Sequence, residues 1–311
     1  MAKDLYEVSL VSPLYNEEDL IEKFYQKAVS MLETCGVSYE IILVDDGSTD
    51  GSFEKLRQIK ESGPQKVTVV KLARNFGHQL AITAGIRQSQ GKAVVVMDSD
   101  LQDPLEVVPQ FIEKWKEGYD IVYGIRTERK GETFFKKISA KIFYKLMKFA
   151  TRFEFPENVG DFYLMDRKVV DVFNTMQEHH RFIRGMVAWM GFKRHGIGYV
   201  REARAAGKTK FGFWRMIKFS FDAATSFSFL PLRAIAFVGL VISALSFLGI
   251  LLTIYLRLFT TVTITGWSSL MTVVLFIGGI QLLSVGLIGE YVARIGDDVK
   301  ARPLYTIQQV L

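Results

Sequence analysis

The residues best suited to chemistry crowd one short stretch. Between Gly91 and Pro104 an apolar, valine-rich run from Ala93 to Met97 empties into Asp98-Ser99-Asp100-Leu101-Gln102-Asp103-Pro104. That is the pattern of a buried strand opening onto a polar loop. Asp98 and Asp100 alternate along the chain with Gln102 beyond them, so in an extended segment their oxygens can project one way and share a hard cation such as Mg2+ or Mn2+. A cation held there would neutralise a diphosphate. The plainer alternative is that aspartates after a strand end it and cap the helix starting near Pro104. For one aspartate that would be preferred; two, with Gln102, at the end of a fully apolar strand favour a metal or phosphate site.

Other carboxylates stand at similar places. Asp46 and Glu17 can accept hydrogen bonds from a nucleobase imide and from ribose hydroxyls, and Tyr15 can pack on the base. For Gly47, Ser48 and Asp50, a tight turn with a helix N-cap is as good a reading as direct contact. Asp161 lies in a short apolar, strand-like segment from Asn158 to Met165, where burial near a cleft would make it a base or a charge stabiliser. By pattern alone, a turn aspartate after Gly160 is favoured. Arg201, Arg204, Lys208 and Lys210 surround Gly207 and Thr209 in a basic loop that either closes over phosphates or is simply solvated. His78, His179, His180 and His195 lack metal-ligand spacing and read as surface or packing residues, and Cys35, the only cysteine, reads as a helix residue without special role.

The elements that must position these groups alternate. Val8 to Pro13, Tyr39 to Val44, Val67 to Leu72, Ala93 to Met97 and Ile121 to Gly124 have strand character. Helical spacing marks Glu17 to Cys35, a stretch ending near Ile59, Gly77 to Gln88, and Leu105 to Lys116. Such alternation predicts an α/β fold with a doubly wound, mostly parallel sheet, whose ligands bind beyond the carboxyl ends of the strands. Pro13 to Glu17, Asp45 to Asp50, Arg74 to Gly77 and Asp98 to Asp103 all follow strand ends, so one cleft is specified four times. No Gly-x-Gly-x-x-Gly follows the first strand and no Gly-x-x-x-x-Gly-Lys-Ser/Thr occurs, which argues against a dinucleotide enzyme or a P-loop triphosphatase.

The chain of 311 residues, 49% hydrophobic with a net charge of +6, is long enough for one or two domains. No basic-then-apolar secretory signal opens it, so the N-terminal domain is expected to stay where it is made. From Ala234 to Leu256, and again from Trp267 to Gly289, it runs without a charge, long enough to cross roughly 30 Å of hydrocarbon. The connection between them is too short for a domain, which predicts a transmembrane hairpin. Arg215, Lys218 and Arg233 precede it and Arg294, Lys300 and Arg302 follow it, against Arg257 alone in the connection, which predicts a cytoplasmic N-terminal domain and tail. From Glu132 to Phe153, Phe135, Ile138, Ile142, Leu146 and Phe149 share one helical face while Lys137, Lys141, Lys145, Lys148 and Arg152 take another, the pattern of a membrane-surface helix. The aromatic stretch from Phe211 to Phe229 suggests a second interfacial element. The expected organisation is therefore an enzyme domain at 1–210 carrying a surface helix at about 132–153, juxtamembrane helices at 211–233, two spans within 234–289, and a cytoplasmic tail at 290–311. Gly278, Gly279, Ser284, Gly286 and Gly289 supply small contacts for self-association in the spans.

Taken in order, Pro13-Leu14-Tyr15-Asn16-Glu17, Val44-Asp45-Asp46-Gly47-Ser48-Thr49-Asp50-Gly51, Arg74-Asn75-Phe76-Gly77-His78-Gln79 and Asp98-Ser99-Asp100-Leu101-Gln102-Asp103-Pro104 resemble the successive signatures of family 2, GT-A-fold glycosyltransferases. With Gly160-Asp161-Phe162, Arg184-Gly185, the Arg204 to Phe211 loop and the apolar hairpin, the resemblance narrows to polyprenyl-phosphate glycosyltransferases. It is nearest to bactoprenol (undecaprenyl-phosphate) glucosyltransferases, relatives of dolichyl-phosphate mannose synthase. The resemblance implies inverting transfer of a sugar from a nucleotide sugar, UDP-glucose first among candidates, to the phosphate of a membrane polyprenol at the inner membrane's cytoplasmic face. Mannose or an aminopentose is the alternative sugar, and a non-catalytic scaffold that only binds nucleotide sugars is the alternative class. It implies that Pro13, Tyr15, Glu17, Asp46 and Ser99 hold the nucleotide sugar, and that Asp98, Asp100 and Gln102 hold a divalent cation and the diphosphate. Asp161 becomes the catalytic base or oxocarbenium stabiliser beside Asp100. Arg204 and Lys210 clamp the diphosphate, and Arg126, Arg129, Lys130 and Lys137 hold the acceptor phosphate. Nucleic acid is not an implied partner. Where relatives commonly carry Gly-Glu-Ser/Thr-Lys-Tyr, this chain has Gly207-Lys208-Thr209-Lys210-Phe211; no Gln-x-x-Arg-Trp occurs, which argues against a processive synthase.

Overall fold

A computed structural model describes residues 6–62, 66–128, 158–201, 230–259 and 266–311. The chain divides into two units, one of Met1–Met216 with Arg302–Leu311 and one of Ile217–Ala301.

The first unit is built on an eight-stranded sheet. Its strands are β1 (Tyr6–Leu14), β2 (Tyr39–Asp45), β3 (Val67–Leu72), β4 (Gly91–Val96), β5 (Ile121–Glu128), β6 (Val159–Asp166), β7 (Arg194–Val200) and β8 (Ile307–Val310), in the spatial order β7-β5-β6-β4-β1-β2-β3-β8. Strand β1 pairs in parallel with β2 and β4, and β2 with β3. Every residue of β2 is buried, as expected of a parallel strand covered on both faces. The helices α1 (Ile21–Thr34), α2 (Ser52–Ser62), α3 (His78–Gln88) and α4 (Val108–Lys116) supply the cover. In α1, Ile21, Phe24, Ala28 and Leu32 form one buried stripe at helical spacing, packed with Leu10, Leu43 and Phe111 into the core.

The other flank is mixed. Strand β6 runs antiparallel between β4 and β5, whereas β5 and β7 pair in parallel. Asp161 thus sits within a buried strand rather than in the turn that the preceding glycine suggested. Two short helices follow, α5 (Arg167–Thr175) and α6 (Ile183–Trp189). The predicted strands and helices of residues 8–124 all form, and β5 runs on past Gly124 to Glu128.

The segment set apart above as a tail needs correction. Its first part continues a helix to Val299, and Ile307–Val310 returns to the sheet as β8, antiparallel to β3. Leu311 exchanges backbone hydrogen bonds with Val69 at 2.9 and 3.2 Å. Edge strands are short and half-solvated, so Ile-Gln-Gln-Val carried little strand signal.

The second unit holds α7 (Leu230–Phe259) and α8 (Trp267–Val299), which pack against each other. The stretches Ile235–Leu256 and Phe276–Val299 are long and apolar enough to cross a membrane, with mean hydropathies of 2.6 and 1.5. The second overlaps the predicted Trp267 to Gly289 span and extends it through Glu290 and Arg294, an i,i+4 ion pair at 2.9 Å. Phe237, Leu240, Leu248 and Leu282 are exposed in this unit, whereas a soluble helix pair would bury such side chains. The surface helix expected at 132–153 and the aromatic stretch at 211–229 lie outside the described residues.

Candidate active site

The loops after β1, β2 and β3 are tied to one another before any ligand is considered. Asn16, at φ 53°, accepts from the Thr49 N–H at 2.8 Å, while its own N–H donates to Ser48 Oγ at 3.0 Å. The Glu17 N–H donates to Ser52 Oγ at 3.0 Å. Gly47 has φ +67° and lies so close to the main chain of Arg74 and Asn75 that a Cβ would overlap it. Beside it the buried Asp46 accepts from the N–H groups of Phe76 and Gly77 at 2.7 and 2.9 Å. Burial raises its carboxyl pKa, against the pull of those two N–H donors. A carboxylate has roughly four lone-pair sites, so both oxygens keep capacity for a further donor. Ser99 Oγ, buried, lies 3.2 Å from the Pro13 carbonyl and donates to Glu17 Oε2, joining the ends of β1 and β4. Tyr15 and Gln102 are half-buried in the same loops.

Beyond β4 the charges concentrate. Asp98 Oδ1 is buried without a hydrogen-bond partner among the described residues and lies 3.4 Å from His78 Nε2. The same Nε2 lies 3.3 Å from Asp161 Oδ2 on β6. Asp161 also accepts from Gln79 Nε2 at 2.9 Å and from Arg184 Nε at 3.0 Å. Gln79 Oε1 in turn accepts from the Ile183 N–H at 2.9 Å at the start of α6, which sets the helix carrying Arg184. Burial would raise the Asp161 pKa, yet Arg184, His78 and Gln79 hold it well below the usual carboxylate range. Burial pushes the Asp98 carboxyl up to about 6, with Asp161, Asp100 and Asp103 adding to the rise and His78 opposing it. Desolvation disfavours the His78 imidazolium, but its hydrogen bond to Asp161 and the charges of Asp98 and Asp161 outweigh that and bring it to about 9.

Asp100 is buried, accepts from the Gln102 N–H at 3.1 Å and lies 3.9 Å from Arg201 Nη2. Arg126, on β5, donates from Nε to Tyr199 Oη at 3.1 Å and lies 3.6 Å from Asp103. Arg129, Lys130, Lys137, Arg204 and Lys210 are outside the described residues.

Among the described residues no three His, Cys, Asp or Glu side chains form a metal cluster. The donor set nonetheless fits a hard cation. Mg2+ and similar ions are commonly held by one or two carboxylates, with waters and substrate phosphates completing the shell. Asp98 Oδ1, buried without a hydrogen bond among the described residues and set among mutually repelling carboxylates with only His78 at 3.4 Å to oppose them, is the kind of oxygen such an ion satisfies.

The structure thus brings Pro13, Glu17, Asp46, Asp98, Ser99, Asp100 and Asp161 to one end of the sheet. Sequence reasoning took His78 as a surface or packing residue; it is exposed, and in addition it stands between Asp98 and Asp161. The polar strand-end segment was drawn to stop at Gly77, one position short, although His78 opens α3 at the same end of the sheet. Gln79 and Arg184 had no local signal beyond the motifs that contain them, because their partner Asp161 is remote in sequence.

A model of the family described as Glycosyl transferase family 2 matches residues 9–173. An uncharacterized glycosyltransferase of Bacillus subtilis is 48% identical over 301 residues, covering 97% of this chain and 93% of its own length. The bactoprenol glucosyl transferase of Shigella phage SfII is 38% identical over 303 residues, covering 97% of each chain. Among solved structures, a mannosyltransferase from Pyrobaculum calidifontis in complex with GDP-Man and Mn2+ superposes with a TM-score of 0.47 at 19% identity, over 68% of this chain and 61% of its own.

Proposed function

The chain belongs to glycosyl transferase family 2, and we propose that it transfers glucose from UDP-glucose to the phosphate of undecaprenyl phosphate at the cytoplasmic face of the inner membrane. The observation that supports this reading is the sharing of His78: one imidazole nitrogen lies 3.4 Å from Asp98 and 3.3 Å from Asp161, which sets side by side the residue read as serving the diphosphate and the residue read as serving transfer. Similarity to bactoprenol glucosyl transferases along nearly the whole chain supports the lipid acceptor. Two helices apolar enough to span a bilayer, with basic residues on both outer flanks, support a membrane site with the α/β unit and chain end in the cytoplasm. The small residues of α8 would serve self-association.

In the proposed reaction a phosphate oxygen of the lipid attacks the anomeric carbon, the bond from that carbon to the β-phosphate oxygen breaks, and UDP leaves with the electron pair. One displacement inverts the configuration. Pro13, Tyr15, Glu17, Asp46 and Ser99 hold the nucleoside end of the donor. Asp98, Asp100 and Gln102 would hold Mg2+ or Mn2+, which when bound supplies positive charge to the diphosphate. Arg204 and Lys210 close over the diphosphate, and Arg126, with Arg129, Lys130 and Lys137, receives the acceptor phosphate. A lipid monophosphate is largely ionised at neutral pH, so little proton removal is needed, and a general base works best with a pKa near the operating pH. Asp161, held far below that by Arg184 and His78, is therefore placed to stabilise positive charge developing on the sugar ring.

The test is incubation of the purified full chain with radiolabelled UDP-glucose, Mn2+ and undecaprenyl phosphate, followed by organic extraction. Labelled glycolipid is expected. Donor binding without glycolipid, from this or from GDP-mannose or UDP-aminopentose donors, would instead support a non-catalytic nucleotide-sugar scaffold.

A further inference from the structure

Asp103 is the one carboxylate of the loop after β4 without a task so far, and it is 1% exposed. An aspartate before a Pro and a helical turn would ordinarily cap that turn, yet the turn at Leu105–Val107 has no side-chain cap. Asp103 faces β5 and β7 instead. Its Oδ1 accepts from Tyr199 Oη at 2.5 Å and lies 3.5 Å from Arg201 Nε. Its Oδ2 is buried without a hydrogen-bond partner among the described residues, 3.6 Å from Arg126 Nη2.

Arg126 and Tyr199 face each other in register across β5 and β7, and the Tyr199 hydroxyl passes a hydrogen bond along, accepting from Arg126 Nε at 3.1 Å and donating to Asp103. The Arg126 guanidinium lies against Gly160, where any Cβ would overlap Nη2. Gly160 and Asp161 are successive residues of β6 and project to opposite faces of the sheet, so the guanidinium lies on the face away from the Asp161 side chain, where the charges of Asp103 and Asp98 both act on it. A guanidinium has five N–H donors in a rigid fork. Tyr199 and Asp103 engage its Nε and Nη2 side, and among the described residues that leaves the Nη1 edge to meet an anion.

We propose that Asp103 is a positioning residue which, directly and through the Tyr199 hydroxyl, orients Arg126 so that its outer edge meets the phosphate monoester of the acceptor. This rests on the acceptor reading of Arg126 given under the proposed function.

Calorimetric titration of the detergent-solubilised full chain with farnesyl phosphate, in the presence of UDP and Mn2+, tests it. Asp103→Asn keeps an acceptor for Tyr199 and removes the charge; farnesyl phosphate affinity is expected to fall about tenfold, while UDP affinity, measured separately, stays within about twofold. Tyr199→Phe shifts affinity the same way by less, and decides the matter should Asp103→Asn not fold. On an Arg126→Gln background Asp103→Asn costs nothing further, because its effect passes through the missing guanidinium. Losses that add on that background, or equal losses of UDP and farnesyl phosphate affinity, would overturn the proposal. A wild-type chain that binds UDP but not farnesyl phosphate would remove the acceptor reading itself, and this proposal with it.

Discussion

The two flanks of the sheet hold their polar groups by different means. On the β1-β2-β3 flank, side chains tie down backbone N–H groups: Asp46 takes those of Phe76 and Gly77, and Asn16 takes that of Thr49. On the β6-β5-β7 flank, charged and polar side chains hold buried carboxylates: Arg184, Gln79 and His78 on Asp161, and Tyr199, Arg126 and Arg201 around Asp103. The first arrangement fixes the shape of loops and suits a site that recognises a rigid nucleoside. The second fixes charge, and suits a site where charge develops and moves. Breaking a residue on one flank should therefore damage donor binding, and breaking one on the other should damage transfer.

The largest effect is expected where the flanks meet. Asp100→Ala should reduce glycolipid formation by roughly a thousandfold or more, as loss of transition-state electrostatics does, in the radiolabel assay; retained turnover would remove Asp100 from the diphosphate site. On the charge-holding flank, Arg184→Ala leaves the buried Asp161 with only the Gln79 amide and a half-exposed histidine, and should cost about 3 kcal/mol of stability in a thermal melt together with most of the turnover, while UDP affinity survives in the folded fraction. On the shape-holding flank, Asp46→Asn turns an acceptor of two backbone N–H groups into one, and should raise the KM for donor about tenfold with kcat much less affected. A fall in kcat with unchanged KM would put Asp46 on the wrong side of the comparison.

The smallest effect concerns His78, which belongs to both flanks. Its folded pKa of about 9 lies above the value of roughly 6.5 for an unfolded histidine. The stability it contributes is therefore complete below about pH 6.5 and drains away as pH rises through about 9. His78→Gln should flatten the decline in melting temperature between pH 7 and 10, and an unchanged slope would show that the imidazole is neutral in the folded protein.

The same contrast explains what could be read without coordinates. The shape-holding flank is made of strand-loop-helix units whose turn residues lie within a few positions of their strands, so periodicity and turn chemistry reveal both the fold and the loops. The charge-holding flank is assembled from partners 82, 96 and 104 residues apart, in Gln79–Asp161, Asp103–Tyr199 and Gln79–Ile183. No local pattern specifies such pairs. Asp161 looked like a turn residue because the antiparallel entry of β6 beside β4 is a tertiary fact, and β8 escaped notice because a four-residue edge strand needs β3 to make it one. His78 was visible in the sequence but was weighed as a metal ligand or as a surface or packing residue, not as a cation between two carboxylates.

The central claim is that one pocket binds the donor through Asp98 and its neighbours and performs transfer beside Asp161. Asp161→Asn separates the two most directly when UDP-glucose affinity in the presence of Mn2+ and glycolipid formation are measured on the same preparation. Affinity within about threefold of wild type, with transfer lowered at least about a hundredfold, is the predicted result. Transfer close to the wild-type rate, or a collapse of donor affinity equal to the loss of transfer, would contradict it.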